Sequence, residues 1–131
     1  MQLRMILSAE LKRRQQRNPR YSLRAFAMSL ATHHSTIARI IGGSSRVTPR
    51  SVQVLGARLG MTPAEIRDAC LAENCAVIVR TVADPRFRAD SRWIATMTGI
   101  PLDQVNVALH WLLYQRKLVM TSRSAWSVGG N

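Results

Sequence analysis

Between Tyr21 and Gly43 the chain reads YSLRAFAMSLATHHSTIARIIGG: two short apolar-patterned runs joined by ATHHS and closed by two glycines. No proline or glycine interrupts the joint, and this stretch constrains the fold more than any other. Ser22 is a candidate N-cap for a helix over residues 23–30, because its hydroxyl can accept a first-turn N–H that has no partner in the helix. A turn follows at 31–33. A second helix spans about 34–41 and ends on Gly42-Gly43, which can take the left-handed C-cap conformation. Ala27 is small where two helices would cross closely, Ala31 sits at the turn, and Ile37 and Ile40 face back to Phe26, Ala27 and Leu30. Small, turn, branched and apolar residues at intervals of four, six and three form the helix-turn-helix pattern. That pattern holds its second helix out from the body, where it can enter a major groove. The residues left exposed there are His34, Ser35, Thr36 and Arg39, all able to reach base edges or phosphates. A neutral imidazole both donates and accepts, which suits His34 to a base edge. His33 has the position of a cap or a phosphate contact.

The flanks read as more helices. Leu3, Ile6, Leu7 and Leu11 make one stripe of a helix over 3–17. Its far end, KRRQQR, places positive charge where a helix C-terminus favours it. Asn18 stops the helix because the following Pro19 pushes it out of the α region. Thr48 caps the next helix with Pro49 at its first position, and Gly60 ends it near Leu59. Thr62-Pro63 with Glu65 repeats that start, and this helix runs to about Glu73 or a little beyond. The second half opens with an apolar helix, CAVIVRTV, then a loop at ADPRFRAD. Ser91 can cap RWIATMT, Gly99-Ile100-Pro101 is a turn, and LDQVNVALHWLLYQRK is the longest helix. LVMTSRSAWSV reads as a short hairpin.

Charge narrows the class of partner. The chain has 131 residues, 47 % of them hydrophobic, and a net charge of +12 carried by 17 Arg and only 2 Lys. Arginine grips phosphate and guanine edges with a planar fork that lysine lacks, so a polyanion, above all nucleic acid, is the expected partner. Residues 1–70 hold 12 Arg/Lys and 3 Asp/Glu, a net of +9, while residues 71–131 hold 7 and 4, a net of +3. The strongest polyanion site is therefore expected in the first half.

Other classes find no support. Cys70 and Cys75, five apart in what reads as one helix, turn to different faces and cannot bridge. No Cys/His spacing suits zinc. No Gly-rich phosphate loop, paired-carboxylate cleft or Ser/His/Asp arrangement appears, and His110 lies mid-helix among apolar residues, as a packed histidine would. No enzyme activity, cofactor or metal is expected. No 18-residue apolar run could span a membrane, and the apolar segment near Met1 is too short for a signal peptide, so a cytoplasmic, nucleoid-associated location is expected.

YSLRAFAMSLATHHSTIARIIGG, followed by TPRSVQVLGARLGMTPAEI, resembles the five-helix DNA-binding domain of phage lambda repressor and its bacterial relatives over about residues 3–70. Ser22, Phe26, Ala27, Leu30, Ser35, Thr36, Ile37, Arg39, Ile40 and Gly43 fall on the family's pattern. So do Pro49, Leu55, Leu59, Gly60 and Ile66. NPRYSLRAFA is similar to a stretch in a family of short bacterial regulators that pair this domain with a C-terminal winged helix. The resemblance implies base contacts at His34, Ser35, Thr36 and Arg39, and phosphate contacts at Ser22, Leu23, Gly42 and Arg46. Two positions depart from it. Leu23 stands where the family often has Gln, so that contact is lost and Arg24 is the candidate to replace it. Ala31 stands where the family has a turn glycine, at about 1 kcal/mol if the backbone there is left-handed.

DSRWIATMTGIPLDQVNVALHWLLYQRKLVMTSRSAWSV resembles a winged helix-turn-helix. Trp93, Ile94 and Met97 would pack on Val105, Leu109 and Leu112, with Arg123 at the tip of a hairpin wing. Its recognition helix would begin with Asp103, Gln104 and Asn106, so base readout would rest on Gln104 and Asn106, with Arg86, Arg88, Arg92 and Arg123 flanking a backbone. The same helix carries a second apolar stripe, Val107, Trp111 and Tyr114, which needs its own burial partner: the N-terminal half or another protomer.

The expected architecture is all-α with a small β-hairpin wing: a five-helix lambda-repressor-like domain at 1–74 and a winged-helix-like unit at 75–131. The expected function is sequence-specific double-stranded DNA binding in transcriptional regulation. The second unit adds a DNA contact, a homodimer interface, or both. Two alternatives stay open: an antitoxin whose second half binds a toxin, and an adaptor whose residues 75–131 bind a protein partner.

Overall fold

The computed structural model describes residues 1–129. These form helices α1 (Leu3–Arg17), α2 (Leu23–Ser29), α3 (His34–Ile41), α4 (Pro49–Arg58), α5 (Pro63–Val82), α6 (Ser91–Thr98) and α7 (Leu102–Tyr114). Strands β1 (Leu118–Met120) and β2 (Trp126–Val128) follow. The chain is thus mainly helical with one small hairpin. No helix among the described residues is long and apolar enough to cross a membrane. Two compact units divide it, Met1–Cys70 and Leu71–Asn131.

Polar side chains set the helix starts. Ser22 Oγ accepts the Ala25 N–H at 3.0 Å, and Thr48 Oγ1 accepts the Ser51 N–H at 3.2 Å. At α5 the capping is reciprocal: Glu65 N–H donates to Thr62 Oγ1 (3.2 Å) and Thr62 N–H to Glu65 Oε1 (2.9 Å). α1 stops at Asn18, whose backbone is extended and whose Oδ1 takes the Arg20 N–H.

The ends of α2, α3 and α4 share one hydrogen-bond pattern, with the residue past the cap in the left-handed region. Thr32 N–H donates to Ala27 O, Ser44 N–H to Arg39 O and Met61 N–H to Gly56 O. The left-handed residues are Ala31 (φ 52°), Gly43 (φ 76°) and Gly60 (φ 80°), while Gly42 stays right-handed. Ala31 is the strained member of this set, since a Cβ crowds the following carbonyl in that region. Arg58 reaches back to this turn and donates from Nη1 to Leu30 O (2.9 Å) and Ala31 O (3.3 Å). Ala31 is exposed, so Ala31→Gly is expected to relieve the strain without leaving a cavity. Set against the greater freedom of glycine in the unfolded chain, the gain is about 0.5–1 kcal/mol. Urea unfolding followed by circular dichroism measures it, and an unchanged or lower midpoint refutes it.

In the first unit Leu3 and Leu7 of α1, Phe26, Ala27 and Leu30 around α2, and Ile37 and Ile40 of α3 are all buried in one cluster. α1 and α2 both pack on α3. The Arg14 guanidinium lies 5.1 Å from the Phe26 ring centroid and 5.9 Å from that of Tyr21. It donates to Tyr21 Oη (3.0 Å), Ser29 Oγ (2.8 Å) and Glu10 Oε1 (3.0 Å). Arg13 pairs with the same carboxylate at 2.6 Å. The hydrogen bond from Arg13 is the largest cause of a Glu10 pKa lowered to about 2.

In the second unit α7 buries Val105, Ala108, Leu109 and Leu112 against Ile78, Ile94 and Leu118. Phe87 meets Trp93 edge-on at 5.8 Å and Trp126 at 5.7 Å. β1 and β2 pair antiparallel, with Leu118 opposite Val128 and Met120 opposite Trp126.

Four expectations are corrected. The helix expected to end near Glu73 continues through Cys75 as one helix of 20 residues, which makes α5 and not the 13-residue α7 the longest. No glycine or proline stands between Glu73 and Val82 to break it. Asp90, not Ser91, caps α6, its Oδ1 accepting the Arg92 N–H at 2.9 Å; a carboxylate one residue earlier takes the role open to either side chain. Met97 is 52 % exposed rather than packed on α7, because the buried stripe of α6 runs through Ile94 and Thr98. His110 is exposed rather than packed, since the core side of α7 is occupied by Leu109 and Leu112 on either side of it.

Candidate nucleic-acid interface

α3 is fixed from within. Ile37 and Ile40 are buried, and the remaining positions are presented outward. Ala38 and Arg39 are exposed, and His34, Ser35 and Thr36 are half-buried. Among the described residues no acid is paired with Arg39. Its guanidinium is therefore available, while its own carbonyl is held by the Ser44 N–H at 3.0 Å.

His33 closes the helix start. Its Nδ1 accepts the Ser35 N–H at 3.2 Å and lies 2.6 Å from Ser35 Oγ. A nitrogen that accepts a backbone N–H carries no proton, so the ring proton sits on Nε2, which remains a donor for a phosphate. The expectation of a cap or a phosphate contact thus becomes a cap with a spare donor. The His33 and His34 rings lie 4.3 Å apart at 31°. His34 has its pKa held below 6.5, first by partial removal from water, then by the positive charge of Arg24 and by His33. Arg24, at the start of α2, is thus brought electrostatically beside the start of α3. Ser22 is exposed and its hydroxyl already caps α2; its O–H remains a donor.

Not every basic residue is available. Arg13 and Arg14 are engaged with Glu10, and Arg58 is spent on the turn carbonyls of Leu30 and Ala31. Composition alone could not separate these from Arg24 and Arg39. Arg46 is exposed in the loop after α3. Gly42 is exposed but its N–H donates to Ala38 O at 2.9 Å, so the backbone donor expected for a phosphate there is already used inside the helix. Leu23 is half-buried in the first core.

In the second unit the expected readers are not brought together. Gln104 Oε1 accepts from Asn74 Nδ2 at 3.2 Å. Asn106, about 200° further round α7, lines a cleft of about 460 Å³ with Asp90, Ser91, His110 and Trp126. Arg86 is tied to Asp84 at 3.0 Å. Arg123 is exposed in the hairpin loop, which is held by Thr121 N–H donating to Ala125 O at 2.9 Å. No group of three or more His, Cys, Asp and Glu side chains among the described residues could hold a metal ion. Neither Cys70 nor Cys75 is in a disulfide, and burial raises the Cys75 thiol pKa.

Comparison with known proteins adds no relative: no protein-family model, curated protein or solved structure matches the chain.

Proposed function

We propose that this chain is a sequence-specific double-stranded DNA-binding transcriptional regulator, with a nucleoid location to match. Its first unit acts as a lambda-repressor-like helix-turn-helix domain. α3 lies in a major groove, where His34, Ser35, Thr36 and Arg39 read base edges. Arg24, Arg46, Ser22 and the His33 Nε2–H contact phosphates.

One observation carries this reading. The exposed side of α3 offers an unpaired arginine and three short polar side chains on a helix whose other side is locked into a core. It does so in the half of the chain with a net charge of +9. An arginine can engage guanine O6 and N7 with two hydrogen bonds, and a neutral imidazole can donate or accept at a base edge. The excess positive charge supplies the salt-dependent backbone affinity.

Selection of bound sequences from a random duplex pool, with the full chain, tests the proposal. A recovered motif of several fixed base pairs supports it, and recovery of unenriched sequence overturns it.

His34 makes the binding pH-dependent with a definite sign. His34 has its pKa depressed below 6.5, so it is neutral at pH 7.5 and gains charge only as pH falls through and below 6.5. The added charge strengthens attraction to phosphate and removes an acceptor from the base-reading face. Affinity for random duplex is therefore expected to rise toward pH 5.5, with the salt slope steeper by about 0.9 for one extra neutralised phosphate. His34→Gln is expected to flatten the change. A slope that does not differ between the two proteins across this range refutes the role of His34.

A further inference from the structure

α7 is the helix expected to read DNA in the second unit, yet its outward face is wrong for DNA. Val107 is 59 % exposed, Trp111 43 % and Tyr114 77 %. They lie at intervals of four and three, which puts them on one side of the helix, opposite buried Val105, Leu109 and Leu112. Trp111 and Tyr114 stack at 6.1 Å and 25°, so the patch is pre-formed. An apolar surface of this kind, with an acid at its entry, is unsuited to phosphate and has the character of a protein–protein interface.

We propose that this face binds the same face of a second copy, with the two α7 helices antiparallel. The distribution of charge along α7 selects both the occupant and the direction. Asp103 stands in its first turn, and Arg116 and Lys117 follow its last. No acid–base pair among the described residues uses any of the three. Asp103 and Tyr114 are roughly 16 Å apart along the axis at about 1.5 Å per residue. The acid and the two bases therefore stand at opposite ends of α7 along its axis. A two-fold axis perpendicular to α7 brings the acidic end of each helix to the basic end of its mate, and it opposes the helix dipoles favourably. Parallel pairing would join like ends. The axis passes near His110 and sets Val107 against Tyr114 of the mate. Two copies of a chain with net charge +12 repel through their arginine-rich faces, and this face has no cation within the patch. The inference stands on α7 alone and does not depend on DNA binding.

The test is the mass of the full chain in solution without DNA, by sedimentation equilibrium. The wild-type chain is expected to show a monomer–dimer equilibrium reaching twice 14.7 kDa. Trp111→Glu and, independently, the more exposed Tyr114→Glu are each expected to weaken the dimer about thirtyfold or more while helix content is retained. Asp103→Lys and Lys117→Asp, each alone, place like charges at both ends of the interface and are expected to weaken self-association severalfold. Mixed, these two variants restore both ion pairs, and a one-to-one heterodimer tighter than either homodimer is expected. A wild-type mass of 14.7 kDa at all concentrations up to about 0.1 mM, in the micromolar-to-millimolar range of weak associations, overturns the proposal. So does a dimer that folded Trp111→Glu and Tyr114→Glu leave intact. A mixture no tighter than its components overturns the antiparallel arrangement.

Discussion

Arg39→Ala is expected to weaken binding to the selected duplex by about 1–3 kcal/mol while leaving affinity for random duplex within about a factor of two to three. The asymmetry follows from the environment of the side chain. Arg39 is exposed and unpaired, so its truncation leaves no buried partner and no cavity, and the fold has no reason to respond. On the proposed reading, what is lost is a two-hydrogen-bond fork over a base pair. A phosphate contact would weaken both duplexes alike and reduce the salt slope by about one unit. Titration of the selected and a scrambled duplex at two salt concentrations separates the cases. Equal loss on both duplexes, with a shallower slope, refutes base readout by Arg39. Arg39→Lys sharpens the comparison, since it keeps the charge and removes the fork.

Phe26→Ala is expected to destabilise the first unit by about 3–5 kcal/mol. That is a large part of the 5–15 kcal/mol that holds an ordinary domain folded. Phe26 is fully buried, meets Tyr21 edge-on at 6.5 Å, and lies beneath the Arg14 guanidinium. Truncation removes the ring, opens a cavity, and takes away one of the two aromatic faces that Arg14 covers. The molecule offers a way to see which unit responds: Trp93, Trp111 and Trp126 all lie in the second unit, and the first has none. In urea the helical signal of Phe26→Ala should fall early while the tryptophan fluorescence transition stays near that of the parent chain. Coincident early loss of both signals would show that the two units unfold together.

Much of the first unit was legible because its boundaries are made by single side chains acting locally. Ser22, Thr48 and Thr62 cap the helices expected to follow them, and Gly43 and Gly60 take the left-handed positions after α3 and α4. These are interactions across three or four residues, and their spacing is visible in the letters. The departures come from longer reach. Arg58 serves carbonyls more than twenty residues earlier. Gly56 is buried where an added Cβ would stand 3.0 Å from Ile66 Cγ1. The continuity of α5 was hidden for a related reason. Cys70 packs with the first core and Cys75 with the second, so apolar residues appear on more than one side of the helix and blur its periodicity. At the candidate interface, the exposure of Arg39 followed from the burial of Ile37 and Ile40, while His34, Ser35 and Thr36 are half-buried at the start of α3, which the spacing alone did not show. That Gly42 has already used its N–H is visible only in the folded backbone, whereas Gln104 and Asn106, two apart on one helix, face different ways by their spacing alone.

The way the first unit is wired has a kinetic consequence. Its helices follow one another through short connections, and α3 packs on its near neighbours α1 and α2. Helical units with such local wiring fold in microseconds to milliseconds. A ribosome adds about 5–20 residues per second, so the stretch from Leu71 onward takes roughly 3–12 seconds to emerge. The basic unit can therefore be complete well before α7, the proposed meeting face of two copies, has emerged. Assembly would then proceed from monomers already folded at one end, and the order of events is written in the order of the chain.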